Sequence, residues 1–314
     1  MDILNLDGVN IYRFKPETGL GTRSVLFSHA TGIAALSYDG VLQRWANELQ
    51  MNIFSYDARG HGESTLRVSV SEVAGRINIP ALLCDDLKKI GEQLMALFPG
   101  PWTLAGHSLG GWLSLYTAAD LNIDHVVLLD MPLLPPSSAF LWAAACLFQQ
   151  RGFHPLSRPA RRRKRLFKTR REAFVTFKKN PFFRKWDNAH IEHYIDANFA
   201  TLSDGSIHLR HDPEWEASLF ESQPALHTPL FLKMDAKKRK QVQVELIAGS
   251  ESRICDPASI RYFYGFFPRT RWFVVPQGGH MFPFENTRGL MKVLSLAFPQ
   301  NQNSLFDDME RQAV

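Results

Sequence analysis

Long apolar runs are missing from these 314 residues. The longest, "AFLWAAACLF" (139–148), is far short of the ~20 residues a membrane-crossing helix needs. The opening stretch, "MDILNLDGVNIYRF", has acidic residues and neither a cationic start nor an apolar core, which argues against a secretory signal. Cysteine is scarce: Cys84, Cys146 and Cys255 are too few and too widely spaced for a disulfide framework or a zinc site. Reduced thiols and a cytoplasmic location are the expectation. There is no internal repeat and no low-complexity linker. Histidine pairs at 190/193 and 208/211 have no third ligand cluster beside them and read as surface pairs, so no metal or organic cofactor is expected.

Apolar material suited to a folded core is plentiful. Hydrophobic residues make up 45% of the chain and aromatics 12%, enough for one large α/β domain or a core with an inserted subdomain. The net charge of +5 is unevenly spread: nine of the fourteen residues in "RPARRRKRLFKTRR" (158–171) are basic and none is acidic. Such a run reads as a solvated face, or as a site for an anionic group or a membrane surface. No nucleic-acid-binding motif accompanies it, and no nucleic acid partner is expected.

Strand-like and helix-like segments alternate along the first 132 residues. "VNIYRFKP", "RSVLFSHA" (23–30), "NIFSYDARG" and "DHVVLLDMP" (124–132) read as strands. "GVLQRWANELQ" (40–50) and "PALLCDDLKKIGEQLMALF" (80–98) read as helices, the latter with Pro80 at its start. From 133 to 230 the chain is helix-prone, basic and aromatic, without alternating strands. The alternation resumes with "VQVELIAG", "PASIRYFYGFF", "RWFVVPQ" and "ENTRGLMKVLSLAF". The expected fold is α/β: a mostly parallel central sheet flanked by helices, formed by 1–132 and 231–298, with a mainly helical cap inserted at 133–230 and a polar tail at 299–314.

Chemistry concentrates in "WTLAGHSLGGW" (102–112). A strand turning sharply into a helix crowds backbone against side chain, and Gly106 and Gly110 remove Cβ atoms there. Ser108 then sits at the apex, with its hydroxyl exposed for nucleophilic attack. A serine hydroxyl needs a base, and the base an orienting acid. Of the eleven histidines, His280 suits the base, because it follows a predicted strand in a loop made permissive by Gly278 and Gly279. An oxyanion needs two backbone donors. The candidates are the N–H of Leu109 and that of Thr31, in the small-residue loop "HATGI" (29–33) beside Ala30.

These segments resemble the α/β-hydrolase fold superfamily. "FSHATG" resembles its His-Gly oxyanion loop, with Ala30 where glycine is usual. "YDARGHGES" (56–64) resembles its Asp-x-Arg-Gly-His-Gly-x-Ser segment, "AGHSLGG" its elbow and "GGHMFPFE" its histidine loop. The resemblance implies a Ser–acid–His hydrolase in which Asp57, Arg59 and His61 are structural. It excludes the chemistry of superfamily members that carry an aspartate at the elbow.

The acid departs from the pattern. Where the superfamily usually has aspartate, three residues beyond the glycine of "LIAGSESRICDP", this chain has Ser252. Three carboxylates remain: Glu251 beside it, Asp256 before Pro257, and Asp130 at the end of "VVLLD". Asp130 is preferred, since some superfamily members carry their acid after that strand. The apolar stretch 137–153 supplies Phe140, Trp142 and Phe148 as candidate acyl-pocket residues.

The expected activity is hydrolysis of a small-molecule carboxylic ester or thioester through an acyl-enzyme. If the basic run faces the entrance, a thioester on a phosphate-bearing carrier fits. A catalytically silent binding protein and a C–C bond hydrolase or lyase using the same residues are the alternatives.

Overall fold

The computed structural model describes residues 1–19, 21–66, 79–133, 154–222, 231–232, 234–255 and 257–298. Phe140, Trp142, Phe148, Asp256 and the tail lie outside them. Eleven strands are present among these residues: β1 (Asp2–Leu6), β2 (Val9–Phe14), β3 (Ser24–Ser28), β4 (Asn52–Tyr56), β5 (Trp102–His107), β6 (His125–Leu129), β7 (Leu166–Phe167), β8 (Phe199–Thr201), β9 (Ile207–Leu209), β10 (Gln243–Gly249) and β11 (Thr270–Val275). Eight of them form one sheet in the order β1-β2-β4-β3-β5-β6-β10-β11. From β4 to β11 every pairing is parallel, while β1 and β2 enter as an antiparallel hairpin.

Apolar runs become strands here because both sheet faces are covered. Successive side chains point to opposite faces. Val25, Phe27, Val127 and Leu129 pack on one side with helices Asp39–Leu49 and Thr287–Ala297. Leu26, Leu104, Val126 and Leu128 pack on the other with helices Ile79–Leu97, Leu109–Thr117 and Pro257–Phe266. The strand β1 has no counterpart in the sequence reading. Its alternating half-exposed pattern carries no long apolar run, and the turn Asp7-Gly8 that pairs it with β2 has positive φ at both residues.

Between β6 and β10 the chain leaves the sheet and returns beside its departure point, since Gln243–Ile247 pair with His125–Leu129. The described part, 154–222, holds four helices (Ser157–Arg161, Arg170–Lys179, Asn188–Asn198 and Pro213–Glu221) and a three-stranded antiparallel sheet, β7-β9-β8. Strands of two or three residues are too short to show a period, so the sequence reading gives a mainly helical segment without these strands. Trp186 stacks on Phe284 with ring centroids 4.0 Å apart and anchors this segment to the core.

The elbow explains its glycines by contact. A Cβ at Gly106 would lie 2.2 Å from the Gly110 carbonyl, and one at Gly110 would lie 2.0 Å from the Ser28 oxygen. Both obstacles are backbone and cannot rotate away. Gly110→Ala is expected to destabilise the protein by about 3 kcal/mol, because strand β3 and the elbow helix must separate. Chemical denaturation measures this, and a midpoint equal to wild type would contradict the crowding.

Candidate active site

Ser108, Asp130 and His280 sit at the carboxyl edge of the parallel strands, where α/β sheets present their sites. Ser108 follows β5 with φ 56° and ψ −118°, and its N–H donates to the Leu129 carbonyl (2.9 Å). Asp130 follows β6, also with positive φ (45°), and its N–H donates to Ile247 O (2.7 Å). His280 follows β11 in the loop "GGH". Strand pairing thus sets three sequence-distant residues side by side.

The Ser108 hydroxyl lies 3.1 Å from His280 Nε2, and His280 Nδ1 lies 2.6 Å from Asp130 Oδ2. A carboxylate against Nδ1 holds the proton there, so Nε2 is left to accept from Ser108. The Ser252 hydroxyl donates to the same Oδ2 at 2.5 Å. The serine at the superfamily's usual acid position therefore supports the aspartate that stands one strand away. Sequence reasoning passed over Ser252 because its value lies in a partner 122 positions distant. Glu251 is not at the site, since it pairs with Lys185 on the surface.

The loop after β3 is held by an unusual density of bonds. The Ala30 N–H donates to Tyr38 Oη (3.3 Å), Gly32 N–H to His61 Nε2 (3.0 Å), Ala34 N–H to Asn198 Oδ1 (3.1 Å) and Ala35 N–H to Asp57 Oδ1 (2.8 Å). Ile33 N–H donates to Ala30 O (3.2 Å). Thr31 N–H alone in this stretch has no acceptor among the described residues, and neither does that of Leu109 at the start of its helix. The Thr31 hydroxyl is buried without a partner as well. Asp57 and His61 thus act on the loop's backbone, while Arg59 grips Asp86 with two bonds (2.8 and 2.7 Å).

His107 is a further residue the sequence did not single out for a role. Fully buried, it accepts from the Tyr38 hydroxyl at Nδ1 (2.7 Å) and donates from Nε2 to the His280 carbonyl (2.8 Å). Burial, reinforced by the neighbouring His280, pushes its pKa well below the ordinary histidine value, so it stays neutral and keeps this donor pattern. Together with Tyr38 it ties the β3 loop, the elbow and the histidine loop to one another.

A cavity of about 1070 Å³ opens over Ser108 and His280. Its apolar lining includes Ile33, Trp112, Phe167, Phe177, Phe183 and Phe220. The described aromatic lining beyond β6 therefore comes from 167–220, a stretch the sequence reading did not single out for the pocket. His190 and His211 are buried, not surface residues: one contacts the Thr287 hydroxyl (3.1 Å) and the other Glu216 (2.8 Å). Among the described residues no cluster of potential metal ligands is found, and no helix is long and apolar enough to cross a membrane.

A model described as "Alpha/beta hydrolase family" matches residues 19–291. The chain belongs to this family. Protein phosphatase methylesterase 1 of Bos taurus is 30% identical over 95 residues, 30% of this chain. The matched stretch spans only 23% of that relative. Among solved structures, E-2-(acetamidomethylene)succinate hydrolase superposes with a TM-score of 0.70 at 17% identity, covering 91% of this chain and 93% of the other. A thioesterase domain from the curacin biosynthetic pathway gives 0.67 at 16% identity, covering 93% and 98%. These likenesses extend across the α/β-hydrolase fold, with its mostly parallel eight-stranded sheet.

Proposed function

We propose that the protein is a serine hydrolase that cleaves a carboxylic ester or thioester through an acyl-enzyme. The hydrogen-bonded chain Ser108–His280–Asp130 carries this reading. Ser108 Oγ attacks the substrate carbonyl as His280 Nε2 takes its proton. Asp130 holds His280 Nδ1–H and offsets the charge of the imidazolium. The N–H groups of Thr31 and Leu109 receive the oxyanion, since neither has another acceptor among the described residues. The alcohol or thiol then leaves with the proton from His280. Water, deprotonated by the same nitrogen, attacks the acyl-enzyme and frees Ser108.

The described part of 133–230 acts as the cap over this site. Its support is that Pro155, Leu156, Phe167, Phe177 and Phe220 line the same cavity as Ser108. The apolar wall favours a hydrocarbon or aryl acyl group. The displaced acid and Ala30 in the oxyanion loop point toward a catalytically silent protein, and the 2.6 Å contact of Asp130 with His280 favours the enzyme instead.

Labelling with a fluorophosphonate, followed by peptide mass spectrometry, tests the proposal. A single adduct on Ser108 is expected. Folded wild-type protein that takes up no label would sink it.

A further inference from the structure

The basic run 158–171 is not a free cationic surface. Five of its nine bases are committed to acids of the same inserted segment: Arg161 to Glu214 and Glu221, Arg163 to Glu216, Lys164 to Glu172, Arg165 to Asp212, and Arg170 to Glu192 and Asp196. Arg158, Arg162, Lys168 and Arg171 make no ion pair among the described residues. Of these four, Arg162 alone lines the cavity that contains Ser108.

A second cation reaches that cavity from the core. Arg253 lines it too, and has no ion pair or side-chain hydrogen bond among the described residues. Both arginines are exposed, yet both stand on fixed backbone. Arg162 is flanked by Arg161, with four hydrogen bonds to Glu214 and Glu221, and by Arg163, bonded to Tyr194 (2.6 Å) and Glu216 (2.6 Å). Arg253 lies between Ser252, whose hydroxyl holds Asp130, and Ile254, whose N–H donates to Ser252 Oγ (3.2 Å) and whose carbonyl accepts from Leu133 (3.3 Å).

Among the described residues, negative charge does not balance them. Glu216 is the one carboxylate in the described lining, and it is buried against Arg163 (2.6 Å) and His211 (2.8 Å). The cavity is thus apolar over most of its wall, with two guanidinium groups uncommitted among the described residues. Low-dielectric walls focus the field of such charges. The guanidinium fork matches two oxygens of one anionic group.

We infer that the substrate carries a carboxylate or phosphate in addition to its scissile acyl bond, and that Arg162 and Arg253 bind that group. This inference rests on the reading of Ser108 as the nucleophile. Substrates of this class pair an apolar acyl portion with an anionic end.

Three substrates separate the possibilities. p-Nitrophenyl butyrate is neutral, mono-p-nitrophenyl glutarate carries a carboxylate on the acyl side, and butyryl-CoA carries phosphates on the leaving group. The readout is the ratio of kcat/KM for each anionic substrate to that for the neutral ester. Wild type is expected to favour one anionic substrate. The double variant Arg162→Gln/Arg253→Gln should lower that ratio about tenfold or more, chiefly through KM. Raising salt should shrink it in wild type, because the arginines are exposed and screened. A loss confined to the glutarate identifies a carboxylate, and one confined to the CoA ester a phosphate. Ratios unchanged in the double variant, in protein that still labels on Ser108, overturn the anion site alone. Protein that neither labels nor turns over any substrate overturns the hydrolase reading and this one together.

Discussion

Ser108→Ala is expected to lower kcat for p-nitrophenyl butyrate by about a millionfold, the loss seen when a triad nucleophile is removed. The position leaves no substitute, because among the described residues Ser108 alone presents an oxygen nucleophile 3.1 Å from His280 Nε2. Ser108→Gly should abolish turnover equally and yet raise thermal stability. At φ 56° and ψ −118° a side chain costs about 1–3 kcal/mol, which glycine avoids. Glycine's own entropy offsets about 0.5–1 kcal/mol of that gain. The net rise in Tm is expected to be about 2 °C. Retained turnover in the alanine variant would place the nucleophile elsewhere. A glycine variant melting below wild type would show that the elbow stores no strain.

Asp130→Asn is expected to lower kcat by about 10,000-fold while leaving the fold intact. An amide in place of Oδ2 no longer requires a proton on His280 Nδ1. The ring then carries its proton on Nε2 and cannot accept from Ser108. Ser252→Ala removes a charge-assisted donor from the same carboxylate and should cost about tenfold. Glu251→Gln serves as the comparison, since Glu251 is half-exposed and ion-paired with Lys185. It should leave kcat within about twofold, as surface pairs contribute little. Steady-state kinetics on the three variants decide the assignment. A larger loss in Glu251→Gln than in Asp130→Asn would reverse it.

Much of this architecture is legible in the chain because it rests on local physics. Strands buried on two faces read as apolar runs, and the elbow reads as glycines because backbone stands where their Cβ atoms would be. The acid was ambiguous for a different reason. Whether an acid after β6 or one after β10 meets His280 depends on strand order, and β6 lies between β5 and β10. No local pattern encodes that order. Buried polar pairs such as Tyr38 with His107 and His211 with Glu216 are equally silent, since each half looks like an ordinary residue until the other is found. The pairing within the basic run is silent for the same reason: the acids that neutralise Arg161 and Arg163 stand 53 and 60 positions away.

His107 bonds the carbonyl of a residue 173 positions later, and Tyr38 connects that junction to the loop after β3. A ribosome must therefore release most of the polypeptide before the pieces can meet. Until β11 and the histidine loop dock, His280 Nε2 cannot stand 3.1 Å from the Ser108 hydroxyl. Long-range closures of this kind form slowly and late. Under the proposed function, the recovery of turnover during refolding is expected to report the completed sheet, and the growing chain is expected to stay silent.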